Sequence, residues 1–397
     1  MNILFVNNIP FNPIAGGIER VTDILAKELG QRGYNIFYLC GKLNAESLYL
    51  LDYDFPAKLY QLPEKGLFDN YTNCNFYKQL QKEQKIDIVI NQRGLGGWFN
   101  GILPNTTSKL ISVIHSVPDG DIEHRLDSLI KSSAPPFAKL KGIIKNVAPF
   151  IFKNYWRHIL RNDLKSIYEK LAYYSEVIVT LSKKDIYILN NYISSKWKYK
   201  IHSVGNPNSY RHSESICLLN KKRILLYVGR LDKWEKSPMR LLQLWKYLNR
   251  KFPDWQLKIV GDGPEKSAME DYVKNNNLTN VFFEGQKKDV SKYYNEASMV
   301  CLTSNYEGWG MALTEGMQFG CIPFTFNNYG AASEIIDDNV NGCLIPPFNL
   351  KNYANRLKGL MEDESKRKAM SKAAIEKVEK FSAKNIADKW EDLIQKL

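Results

Sequence analysis

The chain has 397 residues, 44% hydrophobic and 24% charged, the balance of a globular protein long enough for two or three domains with a core each. Its formal net charge of +13 favours an anionic partner: phosphate groups, a lipid surface or nucleic acid. Six cysteines (Cys40, Cys74, Cys217, Cys301, Cys321 and Cys343) form no CxxC pair, which excludes a zinc ribbon and reads as reduced thiols in a cytoplasm. Nothing approaches ~18 uninterrupted apolar residues, and the start at Met1 reads as a strand, not a signal peptide, so any membrane contact is peripheral.

In chain order, Ile3 to Asn7 is an apolar β-rich run, Gly16-Gly17 mark a turn, and Ile18, Val21, Leu25 and Leu29 carry helical spacing as far as Gly30. Further strands are predicted at Tyr34–Cys40, Ile86–Ile90, Leu110–His115 and Val177–Leu181. A polar stretch over 208–223 reads as a linker. The pattern then restarts with strands at Ile224–Val228, Leu257–Val260, Val281–Phe283, Met299–Thr303, Cys321–Phe326 and Gly342–Ile345, and Lys368–Leu397 reads as helical. Continuous apolar strands alternating with helices predict an α/β chain of two doubly wound, Rossmann-like parallel sheets. Its expected parts are an N-terminal domain over 1–207, a second domain over 224–380, and a final helix, 381–397, packing back on the first domain. A ligand cleft is expected between the two, outside the carboxyl ends of the strands.

The strongest local signal is Glu307-Gly-Trp-Gly-Met-Ala-Leu-Thr-Glu315. It predicts a Gly-rich turn, Gly308, Trp309 and Gly310, opening a helix at Met311 whose first backbone N–H groups are free to hold phosphate. Glu307 stands just before the turn. Glu315, about one turn into the helix, is placed to accept two ribose hydroxyl hydrogens. On this reading Glu315→Ala weakens nucleotide binding and leaves the fold intact.

This segment resembles the E-x7-E motif of the family 4 glycosyltransferases. So do Gly16-Gly17-Ile-Glu19-Arg20, Val228-Gly-Arg-Leu231, Val260-Gly-Asp-Gly-Pro264, Val281-Phe-Phe-Glu-Gly285, Gly320-Cys-Ile-Pro323, Ser333-Glu334 and Asn341-Gly342. The resemblance spans both ends and essentially all of the second half, and is weakest over 116–174. It implies the GT-B architecture, a nucleoside-diphosphate-sugar donor with UDP-sugar expected, and retention at the anomeric carbon without a metal or other cofactor. Arg230, and a lysine a few residues on, are implied to neutralise the departing diphosphate. We assign the lysine to Lys236, although Ser237 replaces the usual glycine and Lys233 lies nearby. Gly16 and Gly17 are implied to face the sugar and phosphates, and His115 to contact the donor sugar. Asp119-Gly-Asp121 imitates a metal-binding DxD but lacks its context. Arg93-Gly94-Leu-Gly96-Gly97 reads as a ligand-facing loop.

Between Lys131 and Lys170 nine Lys or Arg stand against Asp163 and Glu169, interleaved with Phe137, Ile143, Ile144, Phe150, Ile151, Phe152, Tyr155, Trp156, Ile159 and Leu160. This mixture reads as a segment lying on anionic lipid; the alternative is a helix whose apolar face packs on its own domain. Nucleic-acid motifs are absent. The expectation is a glycosyltransferase for a glycan or lipid-linked glycan acceptor of bacterial surface-polysaccharide type, cytoplasmic and peripheral on the inner membrane face. Two other classes stay open: a nucleotide-sugar epimerase or hydrolase of the same shape, and a non-catalytic membrane-bound carrier subunit.

Overall fold

The computed structural model describes residues 1–397 except 67–69, 94–96, 121, 124, 127–143 and 211–220, with backbone alone for 97–100 and 144–152. The backbone divides into two compact units. One comprises 1–9, 37–44 and 59–203; the other comprises 10–36, 45–58 and 204–397.

The first unit is built on a seven-stranded sheet in the order β3-β2-β1-β4-β5-β6-β7. The strands are β1 (Asn2–Val6), β2 (Asn35–Cys40), β3 (Lys58–Gln61), β4 (Ile88–Asn91), β5 (Lys109–Ile114), β6 (Val177–Thr180) and β7 (Ile201–Ser203). The run from β1 through β4, β5 and β6 to β7 is parallel throughout. Val6, Val89, Leu110, Ile114 and Ile178 enter a single core with helices α2 (Tyr71–Glu83), α3 (Gly97–Asn105), α4 (Ile144–Tyr174) and α5 (Lys183–Leu189) around the sheet. Helix α4 lays Leu160, Leu164, Tyr168 and Leu171 on that core, with Trp156 partly buried against it. This corrects the lipid-facing reading of Trp156 and Leu160: spaced i, i+4, i+8 and i+12, they share one helix face, and that face is occupied by the domain's own interior. Residues 131–143 lie outside the described residues, and so do the Phe137 and Ile143 readings.

The second unit has a six-stranded sheet, β10-β9-β8-β11-β12-β13. Its strands are β8 (Lys222–Val228), β9 (Gln256–Val260), β10 (Val281–Gly285), β11 (Ala297–Cys301), β12 (Ile322–Phe326) and β13 (Cys343–Ile345), all paired in parallel. The helices of this unit are α1 (Gly17–Gln31), α6 (Met239–Leu248), α7 (Lys266–Asn275), α8 (Ser291–Glu296), α9 (Met311–Gln318), α10 (Ala332–Ile335), α11 (Leu350–Glu362), α12 (Glu364–Val378) and α13 (Ala383–Gln395). Helix α13 packs on α1, where Arg32 bonds Asp388 at 2.7 Å and Glu391 at 2.8 Å. The expected single helix over Lys368–Leu397 is two helices, broken by a 3-10 turn at Glu379–Phe381 and restarted by the Ser382 cap, whose hydroxyl accepts from the Asn385 amide. The expected linker also begins and ends in structure. Asn208 is buried and bonded to Val378 and Phe381, and β8 already starts at Lys222; residues 211–220 lie outside the described residues.

In each sheet the strand order reverses where the first strand meets the fourth, at β1/β4 and β8/β11, and such switch points are where doubly wound sheets hold ligands. Backbone packing shapes the second one. Gly261 has φ +144°, and a Cβ there would lie 1.9 Å from the Gly229 carbonyl oxygen; at Gly263 (φ +155°) it would lie 2.5 Å from that of Leu231. The Gly-Asp-Gly motif therefore lets the loop after β9 press against the loop after β8. Gly261→Ala is expected to lower stability by at least ~3 kcal/mol, since it adds both strain and a backbone clash. Denaturant unfolding checks this; a variant within ~1 kcal/mol of the parent would mean the two loops part easily.

Candidate active site

At the carboxyl ends of β8 and β11 the second unit brings four charged residues into one chain. The loop after β8 carries Arg230, Glu235 and Lys236; the loop after β11 carries Glu307. Arg230 Nη2 lies 2.7 Å from Asp232 and 2.7 Å from Glu235 Oε2. Glu235 Oε1 lies 2.8 Å from Lys236 Nζ, which in turn lies 2.8 Å from Glu307 Oε2. Ser304 donates to the other Glu307 oxygen at 2.6 Å. Arg230 keeps 60% of its side chain exposed, whereas Lys236 keeps 19% and Glu307 7%. Burial alone would pull the Lys236 ammonium down, but Glu307 and Glu235 outweigh it and hold the group charged above its ordinary range. Lys233 is exposed, and its nitrogen lies over the Trp234 ring, so the structure selects Lys236 as the partner of Glu307. Ser237, standing where the resemblance has glycine, takes φ +44° and is held there by its amide on Asp232 and its hydroxyl on Lys233.

The Gly-rich turn ends at Gly310 in the left-handed region (φ +89°), the N-cap of α9, which has no side-chain cap and no acid in its first turn. The Leu313 amide bonds the Gly310 carbonyl at 2.8 Å, and the amides of Met311 and Ala312 before it are left to a ligand or solvent. Within the turn, Trp309 sends its side chain into the core of the unit. Its side chain is 2% exposed, packs edge-on to Phe381 at 5.1 Å, and fills the space a Cβ on Gly205 would need. A large apolar ring next to a glycine is more stable covered than solvated, so the indole is a packing group and only its backbone belongs to the turn.

Glu315 lies about one turn into α9, 2% exposed. Its Oε1 accepts from Arg20 Nη1 at 2.6 Å and Ser209 Oγ at 2.6 Å, its Oε2 from the Tyr294 hydroxyl at 2.9 Å. Burial, and then the Glu315 charge, hold the Tyr294 hydroxyl far above its ordinary range. Arg20 was visible in the sequence only as part of a matched motif; Ser209 and Tyr294 gave no signal. Gly17 starts α1 against Met311, at 3.9 Å for a notional Cβ, while Gly16, extended at φ 173°, leaves room for the Glu19 carboxylate. Glu315→Ala would strand two hydroxyls and a partly exposed Arg20, so the expectation that it spares the fold is qualified by a stability loss of about 1–3 kcal/mol.

In the first unit, the ends of β1, β4 and β5 gather Asn7, Asn8, Gln92, Arg93 and His115. Arg93 Nε donates to the side-chain oxygens of Asn7 and Asn8, each at 3.0 Å, and His115 Nε2 meets Gln92 Oε1 at 2.5 Å. With Gln92 so oriented, Nε2 carries the proton and Nδ1 is an acceptor. Burial, helped by the Arg93 charge, pushes His115 down to about 3, so the imidazole is neutral near pH 7. Among the described residues no group of three potential metal ligands occurs. Asp119 instead accepts from the Tyr192 hydroxyl at 3.3 Å, while Asp121, Gly94 and Gly96 lie outside the described residues.

The His115 shift has a signed consequence. The unfolded chain binds a proton near pH 6.5 that the folded chain refuses until about 3. Stability is therefore full above 6.5 and falls as pH drops, by up to ~1.4 kcal/mol per unit from this group. Urea unfolding from pH 7 to 5 should show this slope in the wild type and a shallower one in His115→Gln; equal slopes would remove His115 as its source.

Residues 211–377 match the family model described as Glycosyl transferases group 1. An uncharacterized glycosyltransferase of Haemophilus influenzae is 25% identical over 96% of this chain and 96% of its own length. A Campylobacter jejuni enzyme named as a diNAcBac-PP-undecaprenol-glycan alpha-1,4-N-acetyl-D-galactosaminyltransferase is 29% identical over 44% of this chain, which spans 48% of that enzyme. Among solved structures, Anabaena HepE in complex with UDP and glucose superposes with a TM-score of 0.75 at 16% identity, each chain covered in full. With two parallel sheets of the GT-B plan and a glycosyl transferases group 1 match over residues 211–377, this protein is a glycosyltransferase.

Proposed function

We propose that the protein transfers a sugar from a UDP-sugar to a hydroxyl of a glycan or lipid-linked glycan, with retention and without a metal. The observation that carries this reading is the chain Arg230–Glu235–Lys236–Glu307 beside the uncapped start of α9. Two cations and a row of backbone amides converge on the switch point of one sheet, the chemistry a departing diphosphate requires. A diphosphate there shares both cations with Glu235. Support for the donor and acceptor comes from the UDP bound to HepE and the undecaprenol-linked glycan named for the Campylobacter jejuni enzyme.

In the proposed step the bond from the anomeric carbon to the phosphate oxygen breaks as the acceptor oxygen bonds that carbon on the same face, and the acceptor proton passes to the departing phosphate oxygen. Retention of the glycosidase kind would need a nucleophilic carboxylate ~5 Å from an acid. Glu307 is instead bound to Lys236 and Ser304, which suits a group that positions the donor. His115, neutral, serves as a hydrogen-bonding contact to the transferred sugar. Glu315 offers its remaining acceptor capacity to the ribose.

The test is calorimetric titration with UDP, together with turnover of UDP-sugars in EDTA. Glu315→Gln, which keeps the side chain's shape, is expected to weaken UDP at least tenfold. Arg230→Ala should cut turnover by ~10²-fold while shifting stability by less than ~1 kcal/mol, because its pairs are solvated. Lys236→Ala should cost turnover and stability together, since it leaves Glu307 buried without its cation. Turnover that requires added Mn²⁺ or Mg²⁺ would overturn the metal-free reading.

Peripheral contact with the cytoplasmic face of an anionic membrane belongs to the same proposal. No described helix is long and apolar enough to cross a membrane. On the described part of α4, Arg161, Lys165 and Tyr155 are exposed, while Lys153 and Arg157 pair with Glu123 at 3.2 and 2.8 Å. The wild type should co-sediment with anionic vesicles at low salt and detach as salt rises. Gln at Lys153, Arg157, Arg161 and Lys165 together should abolish this; unchanged sedimentation would rule the helix out as the contact.

A further inference from the structure

The second unit holds another concentration of positive charge, at the opposite end of its sheet. Lys221 and Arg223 stand at the start of β8, and α12 lays Glu364, Arg367 and Lys368 beside them, lining a cavity of about 140 Å³. That is many times the ~10–15 Å³ one water needs. The strands here are parallel, so this amino-terminal edge lies on the order of 20 Å along β8 from the loop bearing Arg230.

Four cations face this cavity against one lining carboxylate, Glu364. Glu364 bonds Lys368 at 2.8 Å and reaches Arg367 only at 4.0 Å, while Arg223 pairs with Asp254 outside the lining. Arg367, its side chain 11% exposed, is held by neutral groups: Nη1 donates to the carbonyls of Leu360 at 2.6 Å and Met361 at 2.9 Å, and the guanidinium lies over Trp255 at 5.2 Å. Lys221 Nζ donates to the Tyr294 carbonyl at 2.7 Å, and among the described residues no carboxylate pairs with it. Burial draws both Lys221 and Arg367 below their ordinary ranges; for Arg367 the Glu364 charge opposes this and the like charge of Arg223 adds to it. Cations fixed by carbonyls and stacking, crowded against each other with too few acids, are arranged to receive an anion.

We propose that this cavity is a second, separate anion site, which takes a phosphate or diphosphate group by bidentate contact with Arg367 and Arg223 and point-charge contact with Lys221 and Lys368. An occupant ties the start of α12 to the start of β8, so it stabilises the second unit by mass action.

Calorimetry with inorganic pyrophosphate tests the site in the full chain. The expected result is binding that survives Arg230→Ala within twofold and weakens at least tenfold in Arg223→Gln/Lys368→Gln, whose exposed side chains make that variant safe to fold. Lys221→Met/Arg367→Met should lose the same binding. Thermal melts of each variant accompany the titrations. Absence of this binding class, or its loss in Arg230→Ala with no change in Arg223→Gln/Lys368→Gln, would overturn the proposal. A second arm offers the phosphate on phosphatidic acid vesicles. Pyrophosphate binding without vesicle binding assigns the site to a soluble phosphate; vesicle binding that vanishes in Arg223→Gln/Lys368→Gln assigns it to a lipid headgroup.

Discussion

A carboxylate removed from water must be met by a cation or by several hydrogen-bond donors, and the second unit buries two carboxylates within nine residues of each other. Glu307 and Glu315 flank one Gly-rich turn, 6% and 2% exposed. Each has a different solution. Glu307 takes Lys236, from the loop after the neighbouring strand, while Glu315 takes Arg20, from a helix 295 residues earlier in the chain. The two solutions fix the loop after β8 and the position of α1 relative to α9. Solvating either acid would be simpler for stability alone, because a buried ion pair is weak evidence of stabilisation against a hydrophobic replacement. Charge kept dry at a switch point makes physical sense as preparation for other charged groups.

The basic chemistry has a coherent electrostatic layout. Around Glu307 positive and negative side chains alternate, Arg230, Glu235, Lys236, Glu307, so each of the first three is shared between two oppositely charged partners, while Glu307 closes the row on Lys236 and the Ser304 hydroxyl. Around Arg367 the pattern differs: cations lean on carbonyls. The first arrangement exchanges partners readily as charge moves; the second holds a fixed positive field. Neutral His115 contrasts with both, because its environment refuses a proton.

How much could be read in advance followed from what each element buries. Strands in the middle of both sheets are continuous apolar runs, and their positions were legible to within a residue or two. The two strands with no sequence signal, Lys58–Gln61 and Ile201–Ser203, are the edges of the first sheet, short and half covered, so burial imposes no run of apolar side chains on them. The Glu307–Glu315 turn was legible because glycine spacing is a backbone requirement. Glu235, Ser209 and Tyr294 were not, since a glutamate in a surface loop, a serine and a tyrosine carry no local signature of a partner that is distant in sequence. Trp309, read only as part of the Gly-rich turn, buries its ring on Gly205, a partner about a hundred residues earlier that no local spacing announces. The basic helix was read for its composition, when the spacing of Trp156, Leu160 and Leu164 already pointed those side chains at the core.

Helix α1 follows the first strand in sequence, yet its contacts belong with residues 204–397, where Arg20 meets Glu315 and Arg32 meets Asp388 and Glu391. The second unit is thus not a contiguous stretch of chain. A gene fragment cut after the first sheet would encode Glu315 without its cation and α13 without its partner. Exchange of this half between related enzymes, in evolution or in the laboratory, therefore needs two separate pieces of sequence to travel together. Where only the later piece moves, selection falls on position 20 of the recipient, which must already supply an arginine that fits an unfamiliar glutamate.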